Sequence, residues 1–218
     1  MASDRPVEHP AASARPDPTR RPLEATQAFF AARAGTWDDR FADDAPAFAR
    51  VIEELGVAPG TRVLDVGCGT GRALPVWRTA VGRGGVVIGV DVTIDMLAVA
   101  HTKHRGAATG LVLADAATLS VAPGCVDTVF AAGLLSHVPD PSATLVELRR
   151  VTRPGGRLGL FHPLGRRALA ARHGRTLDPD ELLDPRVLPT VLAGAGWDLD
   201  RIDDGPERYS AVAVATAR

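Results

Sequence analysis

Apolar residues in this chain cluster into short runs of consecutive positions. The segments "TRVLDVG", "GVVIGVD", "GLVLAD", "CVDTVFAAG" and "GRLGLFH" carry Val, Leu, Ile or Phe side by side. Runs of that kind predict strands buried on both faces, since a strand with one wet face alternates instead. Between them the period changes. Arg72 to Ala80, Ile94 to Lys103 and "PSATLVELRRV" space their apolar residues as helices do. The last has Asp140 in the N-cap position and Pro141 as its first helical residue. Strand and helix alternating over short connections predict a parallel sheet covered on both sides, a doubly wound α/β fold.

The two ends read differently. Leu23, Phe29 and Phe30, then Phe48, Val51, Ile52 and Leu55, form helical stripes with breaks near Gly35 and Pro46, and "GVAPG" closes that region. Near the other end, Arg186 to Ala195 suits a helix. "WDLDRIDD" and "YSAVAVATAR" suit two strands around a turn at "GPE". Such a hairpin adds one antiparallel edge strand to a sheet of seven, otherwise mostly parallel. Residues 1–22, with five prolines and scattered charge, are expected to be a disordered tail. Residues 23–218 are expected to be one domain, with 23–58 a helical lid and 59–218 the core.

Composition narrows the classes. A chain of 218 residues, 45% hydrophobic, suits a single domain. A net charge of -1 and a pI near 6.6 leave no basic footprint for nucleic acid. Cys68 and Cys125 form neither a disulfide framework nor a metal spacing, which points to a reducing cytoplasm and no metal. No run is long enough to span a membrane. The pair Arg20-Arg21 is followed by a stretch broken by Glu24, Gln27 and Arg33, a poor export signal. Lys103 is the only lysine and asparagine is absent, a bias of GC-rich, bacterial coding. The oligomeric expectation is a monomer or homodimer.

The chemistry gathers at "VLDVGCGTGR", where Asp65 precedes Gly67, Gly69 and Gly71. A glycine loop after the first strand of a doubly wound sheet lies where ligands bind. The dinucleotide pattern G-x-G-x-x-G fails, because position 72 is Arg. Asp65 would repel a pyrophosphate and welcome an amine, which also disfavours a nicotinamide dehydrogenase. The loop resembles the first motif of the class I S-adenosylmethionine-dependent methyltransferases, and "GVDVTIDML", "LVLADAATL", "VDTVFAAGLLSHVPDP" and "LRRVTRPGGRLGLF" resemble the stations that follow it, most like the small-molecule, ubiquinone-biosynthesis-type branch.

The resemblance implies a Rossmann-like fold, S-adenosylmethionine as cofactor and S-adenosylhomocysteine as product. It implies Asp91 at the ribose, Asp115 and the Ala116 N–H at the adenine, Val92 and Met96 as adenine walls, and the Gly67 and Gly133 backbones beside the methionine part. Asp65, Cys68, Gly69, Gly71, Leu134 and Trp37 complete the expected cofactor site, with Trp37 and Phe41 in the lid. His137 and His162, both expected at carboxyl ends of strands, are the candidate bases for a small-molecule acceptor whose accepting atom is O, N or C. Arg166 or Arg167 could meet an anionic acceptor. Cys68 reads as a small residue that fits the loop, and His101 with His104 as too few ligands for a metal. A non-catalytic protein binding S-adenosylmethionine or S-adenosylhomocysteine on the same fold is the alternative. Nucleic-acid methylation is disfavoured by the charge and by "AAGL" after the fourth strand.

Overall fold

A computed structural model describes residues 22–104 and 109–217; the expected tail falls almost wholly outside them. Seven strands form one sheet: β1 (Arg62–Val66), β2 (Val86–Asp91), β3 (Thr109–Leu113), β4 (Val126–Ala132), β5 (Thr152–His162), β6 (Trp197–Asp204) and β7 (Tyr209–Ala215), in the order β3-β2-β1-β4-β5-β7-β6. The first five are parallel. The order reverses direction between β1 and β4, so the crevice for a ligand opens at their carboxyl ends. The helices are α1 (Leu23–Ala31), α2 (Ala45–Leu55), α3 (Leu74–Val81), α4 (Ile94–Lys103), α5 (Pro141–Val151), α6 (Arg166–Arg172) and α7 (Leu188–Gly194).

The continuous apolar runs divide residue by residue between two cores. Leu64, Val66, Val129, Leu158 and Leu160 face one side, where α5 and α7 bring Leu145, Leu148, Leu188 and Leu192. Val63, Phe130, Phe161 and Val212 face the other, against Phe48, Ile52, Leu55 and Trp77 from α2 and α3. Asp140 caps α5 as expected, its carboxylate accepting from the Ala143 N–H at 2.9 Å.

The C-terminal hairpin adds to the β5 margin. Its antiparallel member β7 pairs with β5 and with β6, so it lies one place in and β6 is outermost. The side chains explain this order. "YSAVAVA" is apolar or small throughout and almost entirely buried, whereas "WDLDRIDD" interleaves acids and is mostly wet.

The N-terminal region has two parts. α2 is core, its apolar stripe buried on the sheet. α1 and two 3₁₀ turns, Ala34–Thr36 and Asp38–Asp44, pass over the carboxyl edge. There Thr26 donates to the His137 carbonyl at 3.1 Å and Gln27 to the Val92 carbonyl at 2.9 Å. The sequence pattern does not announce α6, which has only seven residues, "RRALAAR", and no apolar stripe.

Candidate active site

The alternating glycines follow from backbone geometry. As the chain leaves β1, Gly67, Gly69 and Gly71 take φ values of 73°, 54° and 80°, a region that side chains disfavour. This curl lets the N–H groups of Gly67 and Cys68 both reach the Val90 carbonyl, at 2.8 and 3.0 Å. A Cβ on Gly71 would lie 2.8 Å from the His104 ring, and one on Gly67 would lie 3.0 Å from Leu134. Around Gly69 there is nothing within 4 Å of that position, so its face is open to a ligand. Cys68 turns its sulfur inward onto Gly89. Burial, with the charges of Asp65 and Asp91, raises its thiol well above the ordinary value and keeps it protonated. Only its backbone faces the crevice.

Three acids stand at the carboxyl ends of neighbouring strands. Asp65 is 2% exposed, and its Oδ2 has no hydrogen-bond partner among the described residues. Burial, and after it the Asp91 charge, pushes its pKa up from 3.8 to about 7. Asp91 is held from both sides: Oδ2 accepts from the Gly69 N–H at 2.9 Å and Oδ1 from the Thr93 N–H at 2.8 Å. Burial raises its pKa too, against those hydrogen bonds. Asp115 is half-buried and accepts from the Ala117 N–H at 2.9 Å, beside buried Ala116. Such a row favours a ligand with positive charge and several donors.

One expected wall is corrected. Met96 is 1% exposed and counts among the buried apolar residues, so it offers no surface at these strand ends. Apolar surface at these strand ends comes from half-buried Val92, from Ile94 at 61% exposure and from Leu113 at 54%. Leu113 pairs with Asp91 in register. Ile94 stands out only once the helix faces are known.

On the other side of the switch point, Gly133 follows β4 at φ 68°, and a Cβ there would lie 3.9 Å from the His162 ring. Leu134 is half-buried against Gly67. His162 is half-buried at the end of β5, its Nδ1 lying 3.0 Å from the Leu164 N–H and 2.9 Å from the Leu164 carbonyl. Burial lowers its pKa and favours the neutral ring. His137 is exposed, with its ring edge-on to Phe30 at 5.0 Å. Trp37 lies between Phe30 and Phe41, at 5.3 and 4.9 Å.

The 3₁₀ strap carrying Trp37 and Phe41 is tied to the glycine loop by residues that the sequence did not single out. Asp38 accepts from Thr70 and pairs with Lys103. Asp44 pairs with Arg72 at 3.2 Å. These pairs are far apart in sequence, and no local spacing signals them.

Arg166 is also corrected. It is 5% exposed and held by Asp184 at 2.9 Å, Asp204 at 3.2 Å and Glu181 at 3.5 Å, so its charge is spent within the protein. Arg167 is exposed beside it. No group of acids, cysteines and histidines among the described residues could hold a metal. No helix among them is long and apolar enough to cross a membrane.

Residues 64–160 match the Methyltransferase domain family. The chain is 35% identical to nocamycin O-methyltransferase of Saccharothrix syringae, over 55% of this chain and 44% of that protein. It is 42% identical to demethylmenaquinone methyltransferase of Staphylococcus saprophyticus, over 49% of this chain and 46% of that protein. The chain spans less than half the length of both relatives. Among solved structures, a SAM-dependent methyltransferase from Aquifex aeolicus superposes with a TM-score of 0.65 at 25% identity, over 77% of this chain and 88% of that one. The matched segment runs from β1 to β5 and takes in the glycine loop and all three strand-end acids, so the part of the chain that carries the site is similar to the S-adenosylmethionine-dependent methyltransferases.

Proposed function

We propose that this chain transfers a methyl group from S-adenosylmethionine to a small-molecule acceptor. The observation that carries the reading is the buried, unpartnered Asp65 Oδ2 on the strand that leads into a glycine loop whose Gly69 face is open. It fits the ammonium of an amino-acid-bearing cofactor and would repel a phosphate. Asp91 keeps lone pairs beyond those its two backbone donors use, enough to accept from ribose hydroxyls. Asp115 would accept from the adenine amino group and Ala116 would donate beside it. Val92, Ile94 and Leu113 would cover the ring, with Ile94 and Leu113 replacing Met96. Gly67, Gly69, Gly133 and Leu134 would line the methionine part. Bound there, S-adenosylmethionine supplies a methyl group on a sulfonium and leaves as S-adenosylhomocysteine.

The protein's own work is positional. The strap would exclude water and hold the acceptor in line. His162, kept neutral by burial, would take a proton from an acceptor that must lose one. His137 would help orient the acceptor from the β4 loop. The two named relatives support a small-molecule acceptor by their substrates.

Methyl-labelled S-adenosylmethionine, supplied with oxygen, nitrogen and carbon acceptors in turn, tests the proposal. Labelled product together with released S-adenosylhomocysteine is expected. His162→Ala should lower the rate while leaving S-adenosylhomocysteine affinity in place. Tight binding of S-adenosylhomocysteine with no transfer to any acceptor would contradict the catalytic reading.

A further inference from the structure

Four aromatic rings form a continuous row across the end of α1 and the strap: Phe29, Phe30, Trp37 and Phe41, with centroids 5.2, 5.3 and 4.9 Å apart. All four are half-buried, unlike the fully buried Trp77 and Phe130 below. The row starts beside His137 on the β4 loop and ends beside α6. It therefore crosses the same carboxyl edge where His162 ends β5. A partly exposed aromatic row at that place suits a flat apolar ligand body.

Three guanidiniums meet the row, and their charges are not equivalent. Arg33 lies 3.8 Å over Phe29 and donates to the Phe29 carbonyl at 2.8 Å. Arg72 lies 5.7 Å from Phe41 but is paired with Asp44. Arg172, in the last turn of α6, also lies 5.6 Å from Phe41. It is exposed, and among the described residues it has no ion pair and no hydrogen-bonded partner. Its charge reaches His162, as does that of neighbouring His173. Of the two arginines expected to meet an anionic acceptor, Arg166 is neutralised by its three carboxylates and Arg167 is exposed beside it; Arg172 is the arginine that meets the aromatic row and whose charge reaches His162.

We propose that the acceptor is a flat, largely apolar acid, its carboxylate held by Arg172 and its ring body lying along the aromatic row. This rests on the methyltransferase reading above and names the substrate class for that site. A guanidinium and a carboxylate form a directional, charge-assisted pair that a neutral amide cannot reproduce. The pair leaves His162 free to face the accepting atom.

The test uses a matched pair of probes, 2-naphthoate and 2-naphthamide, titrated calorimetrically into the full chain saturated with S-adenosylhomocysteine. The acid is expected to bind at least about tenfold more tightly than the amide. Arg172→Gln should abolish that preference, Arg172→Lys should restore part of it, and Arg33→Gln should leave it intact. Equal binding of the two probes, binding of neither at millimolar concentration, or a preference that survives Arg172→Gln would each overturn the assignment. The saturation step separates the two readings. If S-adenosylhomocysteine does not bind, the methyltransferase reading fails; if it binds and the acid preference is absent, only the acceptor class fails.

Discussion

Replacing Asp65 by Asn should stabilise the free protein at alkaline pH while weakening its hold on cofactor. Asp65 is an acid whose pKa rises from 3.8 to about 7 on folding. Between those values the native state keeps a proton that the unfolded chain has released, so stability falls as pH rises through the window. Above it, the ionised carboxylate costs about 4 kcal/mol relative to its unfolded state. Asn removes that cost but leaves a buried amide donor to satisfy, worth about 1–3 kcal/mol. At pH 8 the net gain is about 2 kcal/mol, or roughly 4–8 °C in Tm for a chain of this length. At pH 4 the carboxyl is protonated in the native state and only about half ionised in the unfolded one, so little of that cost applies, and the variant should be the less stable of the two. The same substitution removes the charge that would face an ammonium, and S-adenosylhomocysteine affinity should fall at least about a hundredfold. Thermal unfolding at both pH values, with calorimetric titration at pH 8, reads all three effects. A variant destabilised equally at pH 4 and pH 8, or one with wild-type affinity, would refute the reasoning.

Asp91→Ala should also weaken S-adenosylhomocysteine binding about a hundredfold in the same titration, since on the proposed reading it removes the charged acceptor for two ribose hydroxyls. Gly71→Ala meets both a left-handed backbone and the His104 ring, and chemical denaturation should show a loss of about 3 kcal/mol. Adding His104→Ala should recover only the share of the steric cost due to that ring, because Leu74 Cδ1 also lies 2.9 Å from the added Cβ, and should leave the backbone part. Arg166→Met strands partly buried carboxylates and should cost about 3 kcal/mol in denaturation, with S-adenosylhomocysteine affinity unchanged.

What could be read along the chain was whatever neighbouring residues decide. Unbroken apolar runs marked the two-faced strands, Asp140 and Pro141 marked the start of α5, and the spacing of Gly67, Gly69 and Gly71 marked a loop in a glycine-only conformation. The contrast between "YSAVAVA" and "WDLDRIDD" also holds the order of the last two strands, because a wet, alternating strand suits an edge and a continuous one an interior. Whatever depends on distant partners was hidden. Arg166 looks like a free cation until Glu181, Asp184 and Asp204 fold around it. Met96 and Ile94 are both apolar residues near Asp91, and only the rotation of α4 decides that Met96 is core and Ile94 is surface. The strap contacts of Thr26, Gln27, Asp38 and Asp44 join segments with no shared periodicity.

The most direct test of the central claim is a calorimetric titration of the purified chain with S-adenosylhomocysteine, with NAD titrated in parallel. Saturable one-to-one binding of S-adenosylhomocysteine, weakened about a hundredfold in Asp91→Ala and not matched by NAD, is the predicted result. No binding of S-adenosylhomocysteine, or equal binding of both nucleotides, would contradict the account.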